Sequence, residues 1–350
     1  MLQRTLFGQI EALMDDDSSV GGSAASVAND MPRGPRHAYL LTGPRHVGKT
    51  TLAMAFARAL LCTAPPHEAP CGHCRSCRLV EHGNHPDIRF IQPVDKDGQV
   101  DRNNGLLRAE QASELVREVA MRPLEGDYKV YILQDMHTAN DSFSNKVLKT
   151  LEEPPPHVVL CLTADDRSNL LATIVSRCQV LALRPLDKQT VQAALLSRWQ
   201  MDEAQADLLS RLAGGRLGWA VQEATSQSFL TERGASLDRL FHLITASRIE
   251  RLAFAEALTG RRGEENIFHL LELWTVWWRD VMLVQSGCVD ACTNVDRLGE
   301  LTQMAERIQP AAVRSYLDLL RRIDGYLHHT VNTRLALDVL LLKKPRPQSK

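Results

Sequence analysis

The run Gly43-Pro44-Arg45-His46-Val47-Gly48-Lys49-Thr50 constrains the fold of this chain more than any other stretch. It matches the pattern G-x4-G-K-[ST] in full. Glycines at this spacing let backbone N–H groups turn inward, and a helix that starts there adds the positive end of its dipole. The flanks agree with the motif. The segment from His37 to Thr42 reads as a strand, and Thr51 to Leu61 is an alanine- and leucine-rich helix without Gly or Pro. The expected phosphate-binding residues are Gly43, Gly48, Lys49, Thr50 and Thr51. Lys49 is placed to sit against terminal phosphates and the Thr50 hydroxyl to hold Mg²⁺.

Further short apolar runs read as buried strands: 88–91, 130–133, 158–163 and 180–183. Helical patterns such as 108–121 and 142–153 separate them. Strands alternating with helices imply an α/β domain with a parallel sheet covered on both faces. After Pro185 the strand signal stops. The expected division is a nucleotide-binding domain over 1–184, a small helical section over 185–228 interrupted by Gly214-Gly215, an all-α domain over 229–342 and a disordered tail over 343–350. At 350 residues, two or three domains are the ordinary outcome. The first 36 residues read as a short helix followed by a polar loop around Asp15-Asp16-Asp17-Ser18-Ser19.

Charge narrows the class. Lys plus Arg is 41 and Asp plus Glu is 42, a formal net charge of -1. That balance argues against a dedicated, strongly basic nucleic-acid binder. The start Met1-Leu2-Gln3-Arg4-Thr5-Leu6-Phe7 lacks the apolar core of a signal peptide. The most apolar helical stretch, 267–284, carries His269, Glu272, Arg279 and Asp280, so it reads as a buried helix of a cytoplasmic protein and not as a membrane span. Its tryptophans, Trp274, Trp277 and Trp278, read as core and interface anchors.

Four of the eight cysteines fall in one run, Cys62-x8-Cys71-x2-Cys74-x2-Cys77. In a reducing compartment this spacing points to metal before disulfide. Two-residue gaps let the chain turn so that neighbouring thiolates share one ion, and four thiolates close a tetrahedral, structural Zn²⁺ shell. His73 is an alternative fourth ligand. Cys161 lies in an apolar run and reads as core, and Cys288-x3-Cys292 as structural or incidental.

The second half of a nucleotide site is incomplete. A second strand should end in a carboxylate that positions Mg²⁺, and in an ATPase another carboxylate activates water. Here Val130-Tyr131-Ile132-Leu133 runs into Gln134-Asp135-Met136-His137, with one carboxylate where two are needed. In one register Gln134 takes the metal-positioning place and Asp135 is a shortened base. In the other, Asp135 holds the metal and Met136 fills the base position. Neither register supplies both roles, which argues against hydrolysis by this chain.

Asn145-Lys146-Val147-Leu148-Lys149-Thr150-Leu151-Glu152-Glu153-Pro154-Pro155 followed by Ser176-Arg177-Cys178 resembles the AAA+ clamp-loader subunits of DNA polymerase III. The four-cysteine spacing, Leu6-Phe7-Gly8-Gln9, His85-Pro86-Asp87 and Asn332-Thr333-Arg334-Leu335-Ala336-Leu337 are similar to the same family. Of the family's two subunits with this layout, the gamma/tau motor carries paired carboxylates after its second strand and a lid arginine in a Gly-Ser-x-Arg-Asp pattern. This chain has neither: Gly218 stands where that arginine would be. Thr163, at the end of the fourth strand, is the candidate polar sensor, one place early for the family's pattern. The resemblance therefore implies the delta-prime type, with the rivals an active motor ATPase using Asp135, a stand-alone P-loop nucleotide kinase, and a scaffold with a vestigial loop. It further implies a helical lid and collar, bound ATP or ADP with Mg²⁺, and a hetero-pentamer with gamma/tau and delta-like subunits. The partners would be a sliding clamp and primer–template DNA reached through the complex. Arg177 would project toward phosphates held by a neighbouring subunit, with Ser176 setting the turn. Arg321, Arg322 and the tail lysines read as solvated surface.

Overall fold

The computed structural model describes residues 35–102, 104–226, 228–259, 267–327 and 332–346. The expected N-terminal helix, the polar loop and Leu6-Phe7-Gly8-Gln9 lie outside them, as does 347–350. The described residues form two compact units. One runs through Leu186 and also takes Arg216–Gly218, and the other comprises Asp187–Gly215 and the chain from Trp219 onward.

In the first unit, β1 (Ala38–Thr42), β2 (Ile88–Ile91), β3 (Lys129–Leu133), β4 (Val158–Ala164) and β5 (Gln179–Ala182) form one all-parallel sheet. The strand order is β2-β3-β4-β1-β5. Successive side chains of a strand point to opposite faces, and the core divides accordingly. Ala38, Leu40, Tyr131, Leu133, Leu160 and Leu162 enter one apolar layer, beneath α3 (Ala109–Val119) and α4 (Asp141–Glu152). Tyr39, Leu41, Val130, Ile132 and Cys161 enter the other, beneath α1 (Lys49–Leu60), with α2 (Arg75–Glu81) contributing Val80. Strands β1, β3 and β4 are buried at every position, which is why they read as unbroken apolar runs and not as alternating ones. The single-turn helix α5 (Ala172–Val175) leads into Ser176-Arg177-Cys178.

The second unit is helical among the described residues: α6 (Lys188–Trp199), α7 (Glu203–Leu212), α8 (Leu217–Ser226, of which Leu217 and Gly218 count with the first unit), α9 (Ser228–Thr245), α10 (Arg248–Thr259), α11 (Ile267–Gln285), α12 (Leu298–Arg307), α13 (Pro310–Leu327) and α14 (Thr333–Leu342). Side-chain caps fix several of the starts. Asp187 accepts from Thr190 N, Asp202 from Gln205 N and Asn332 from Leu335 N. Trp274, Trp277 and Trp278 are at most 1% exposed and lie in the same cluster as Leu237, Leu301, Leu320 and Leu337. They are core residues, so the interface half of the sequence reading does not apply to them. No described helix is long and apolar enough to cross a membrane.

The tail differs from its reading as far as Arg346. Lys343 is exposed, whereas Lys344 is 5% exposed and its ammonium donates to the Leu243 carbonyl. Burial, with Arg251 and Arg346 nearby, pulls the Lys344 pKa down to about 7. The cationic spelling of Lys343-Lys344 hides an aliphatic stem that packs inward.

Candidate functional site: the phosphate loop and the arginine rim

Gly43–Thr50 crosses from the end of β1 to the start of α1, outside the carboxyl ends of the strands, where open α/β sheets place ligands. Two of its residues need glycine. Gly48 has φ +107°, and at Gly43, φ +141°, a Cβ would lie 2.4 Å from the Leu183 carbonyl oxygen. His46 takes φ +62° as a non-glycine residue. Lys49 is 6% exposed and Thr51 is exposed on the first turn of α1.

Lys49 is fully engaged. Its Nζ donates to Gly43 O at 2.5 Å, to Pro44 O at 3.1 Å and to Asp165 Oδ1 at 2.9 Å. Asp165 follows β4, and its carbonyl accepts from Gly43 N at 3.1 Å. The other carboxylate oxygen of Asp165 stands 3.7 Å from His137 Nε2. Thr163, the expected sensor, is fully buried and its hydroxyl accepts from Asp135 N at 3.0 Å. The polar side chain that reaches the loop lysine from β4 is therefore Asp165, which the sequence reading missed. Its only signal was a carboxylate two places after Thr163.

The two residues after β3 have different partners. Gln134 Nε2 donates to Thr50 Oγ1 at 3.1 Å, on the hydroxyl expected to hold Mg²⁺. Gln92 Nε2 donates to Gln134 Oε1 at 2.8 Å and pins the amide. Asp135 sits at φ +54° and is 2% exposed, with a carboxylate oxygen within 4.8 Å of His137 and of the Asp165 carboxylate. Its Oδ2 accepts from Arg102 Nε and Nη2, both at 2.9 Å. Gly218 N donates to His46 O at 3.0 Å, and a Cβ at Gly218 would lie 2.8 Å from that oxygen. The close approach leaves no room there for a side chain without a shift of the loop. The loop's mouth is cationic: burial, then Arg45, Arg216, Arg102 and Lys49, hold the His46 imidazole below its ordinary pKa.

Arg177 lies elsewhere, on the rim of a cleft of about 420 Å³ lined by Arg36, His37, Glu152, Ser176 and Gln179 among others. Its guanidinium meets Glu152 Oε1 at 2.8 Å and donates to Thr173 O at 3.0 Å, with the side chain 34% exposed. Ser176 Oγ donates to Thr173 O at 3.1 Å, which ties the turn. Burial pushes the Cys178 thiol up to about 12.

Cys62, Cys71, Cys74 and Cys77 come together with all four sulfurs within 4.8 Å of one another. Backbone N–H groups point at them: Ala64 and Cys71 at Cys62, Cys74 at Cys71, and Cys77 at Cys74, at 3.3–3.4 Å. Burial raises the Cys74 thiol, but N–H and side-chain contacts from Cys77 and Thr63 outweigh it and draw it down to about 5. For Cys77 burial dominates and pushes the thiol up to about 12. Four clustered thiols with donors aimed at sulfur suit a thiolate-loving ion such as Zn²⁺. His73 is exposed and turns Nδ1 to the Cys71 carbonyl at 2.9 Å.

His85-Pro86-Asp87 is a brace. The Asp87 carboxylate, 1% exposed, accepts from the N–H groups of Leu124, Glu125 and Gly126 at 2.7–3.2 Å. His85 Nδ1 accepts from Asp87 N, so Nε2 carries the proton toward Ser76 Oγ at 3.0 Å on α2.

The model of the family described as "DNA polymerase III, delta subunit" matches residues 29–187. The chain is 26% identical over 309 residues to the DNA polymerase III subunit delta' of Bacillus subtilis, covering 87% of this chain and 90% of that protein. It is 36% identical over 181 residues to the delta' subunit of Pseudomonas aeruginosa, about half of each. To subunit tau of Escherichia coli it is 27% identical over 340 residues, 91% of this chain and 51% of that longer protein. A solved gamma-subunit-related protein of Thermotoga maritima covers 88% of this chain and is itself covered over 93%, at 15% identity and a TM-score of 0.38. By its sequence relatives, the chain belongs to the clamp-loader subunits of DNA polymerase III, among those of delta-prime type.

Proposed function

We propose that this chain is the delta-prime-like subunit of the clamp loader, helps to load a sliding clamp onto primed DNA during replication, and lends Arg177 across a subunit seam while hydrolysing no ATP itself. The observation that carries the reading is the amide of Gln134 on Thr50, where a metal-positioning carboxylate is needed. Asp135, the remaining carboxylate, is held by Arg102, while the amide of Gln134 takes the Thr50 hydroxyl. The loop itself fits a phosphate-bearing ligand, with its cationic mouth and inward backbone. The Mg²⁺ that accompanies ATP elsewhere lacks its β3 carboxylate here.

Arg177 has the opposite character. A planar, permanently charged guanidinium suits charge on a transferring phosphoryl group. Its tie to Glu152 is a partly exposed ion pair, worth well under ~1 kcal/mol. A neighbour's phosphates, carrying more charge, would draw it outward. In this reading 185–228 serves as the lid and 229–342 as the collar that joins gamma/tau and delta-like subunits in a cytoplasmic hetero-pentamer. Cys62, Cys71, Cys74 and Cys77 hold a structural Zn²⁺, and DNA is met through the assembled ring.

The test is composition with activity. Co-expressed with a separate motor subunit, the chain should enter the complex as a single copy beside several motor copies by native mass spectrometry. Alone it should show no ATP turnover above a blank. Several copies per complex, or self-sufficient turnover, would contradict the reading and favour the motor ATPase.

A further inference from the structure

We infer that Asp165 occupies the place of a nucleotide's terminal phosphate on Lys49, so that the loop of this chain takes a nucleoside diphosphate and rejects the triphosphate. The inference rests on the reading of Gly43–Thr50 as a nucleotide site and names that site's ligand.

A loop lysine of this type reaches the β- and γ-phosphates. An ammonium has three donors, and Lys49 has spent all three, two on loop carbonyls and one on Asp165. The carbonyls of Gly43 and Pro44 belong to the loop itself. Asp165 is placed by the strand before it. It follows directly on β4, and its backbone carbonyl accepts from Gly43 N. Its carboxylate therefore stays on the lysine when a diphosphate enters, supplying the negative charge a third phosphate would bring. A triphosphate must place its own γ-oxygens against that carboxylate, and like charges at contact distance repel strongly away from bulk water.

In other loops of this class Mg²⁺ relieves such crowding by bridging the β- and γ-oxygens, held by the loop hydroxyl and a carboxylate of the second strand. Here the hydroxyl of Thr50 accepts from Gln134, and Gln92 fixes Gln134 in that position. An amide brings no negative charge to hold the cation. The cationic mouth of Arg45, Arg102 and Arg216 still attracts an anion. What the site lacks is specific to the third phosphate.

Calorimetric titration of the full chain with ADP and with ATP, each with and without MgCl₂, tests this. The wild type should bind ADP at least about tenfold more tightly than ATP, the separation expected when one like-charge contact is added in a partly buried site. Asp165→Asn should tighten ATP about tenfold more than it tightens ADP, closing that gap, and Asp165→Ala should do the same. Thermal melts of both variants confirm folding. ATP binding as tight as ADP in the wild type, or a gap that survives both substitutions, would overturn the role of Asp165 while leaving the nucleotide site in place. No binding of either nucleotide by the wild type or the variants would overturn the nucleotide reading along with it.

Discussion

Two cations define this molecule, and they are held differently. Lys49 is 6% exposed, with its three donors spent inside its own loop and on Asp165. Arg177 is 34% exposed at the mouth of a cleft, with one carboxylate and one carbonyl as partners. The first is bound into the fold and the second is held only loosely to it. The charge that could act on a phosphate outside this chain is the one at the rim, and the charge in the phosphate-loop motif is the one turned inward.

The largest expected effect falls on what stiffens the Lys49 side. The cysteine module packs beside α1, where Arg58 of that helix meets Glu81 of α2 at 3.1 Å. Cys71→Ser with Cys74→Ser should release about one Zn²⁺ per chain, measured by atomic emission, and lower Tm by roughly 5 °C or more. Full stability without metal would remove the module from the account. Asp87→Ala comes next. It strips three backbone N–H groups of their acceptor and should cost about 2 kcal/mol in urea unfolding, with little change in bound zinc. Smallest is Glu152→Gln, which loosens Arg177. It should change stability by less than about 0.5 kcal/mol and leave assembly intact. A large loss of stability would mean that Arg177 is bound into the fold as firmly as Lys49, and the contrast would fail.

Much of this is legible in the sequence. The five strands lie where short apolar runs put them, and β1, β3 and β4, buried on both faces, carry no polar alternation. The loop and the cysteine cluster are legible because their chemistry fixes their spacing. The strand order is not, since nothing local in Val158–Ala164 says that β4 lies between β1 and β3. That insertion is what brings Asp165 to Lys49 across more than a hundred residues of chain. The choice between Gln134 and Asp135 is equally hidden. It depends on a positive φ at Asp135, which turns its carboxylate to Arg102 and leaves the amide facing Thr50. Lys344 is misread for a related reason: composition marks a lysine as solvated, and only packing shows its stem buried.

The central claim is that this chain acts on a neighbour's phosphates and not on its own. The most direct measurement is ATP turnover by a reconstituted loader carrying Arg177→Ala, with assembly verified by gel filtration. The account predicts a fall of about a thousandfold at the adjoining site, the usual scale for losing such an arginine, with Arg177→Lys failing to restore it because an ammonium lacks the planar fork. Unchanged turnover in the fully assembled Arg177→Ala complex would contradict it.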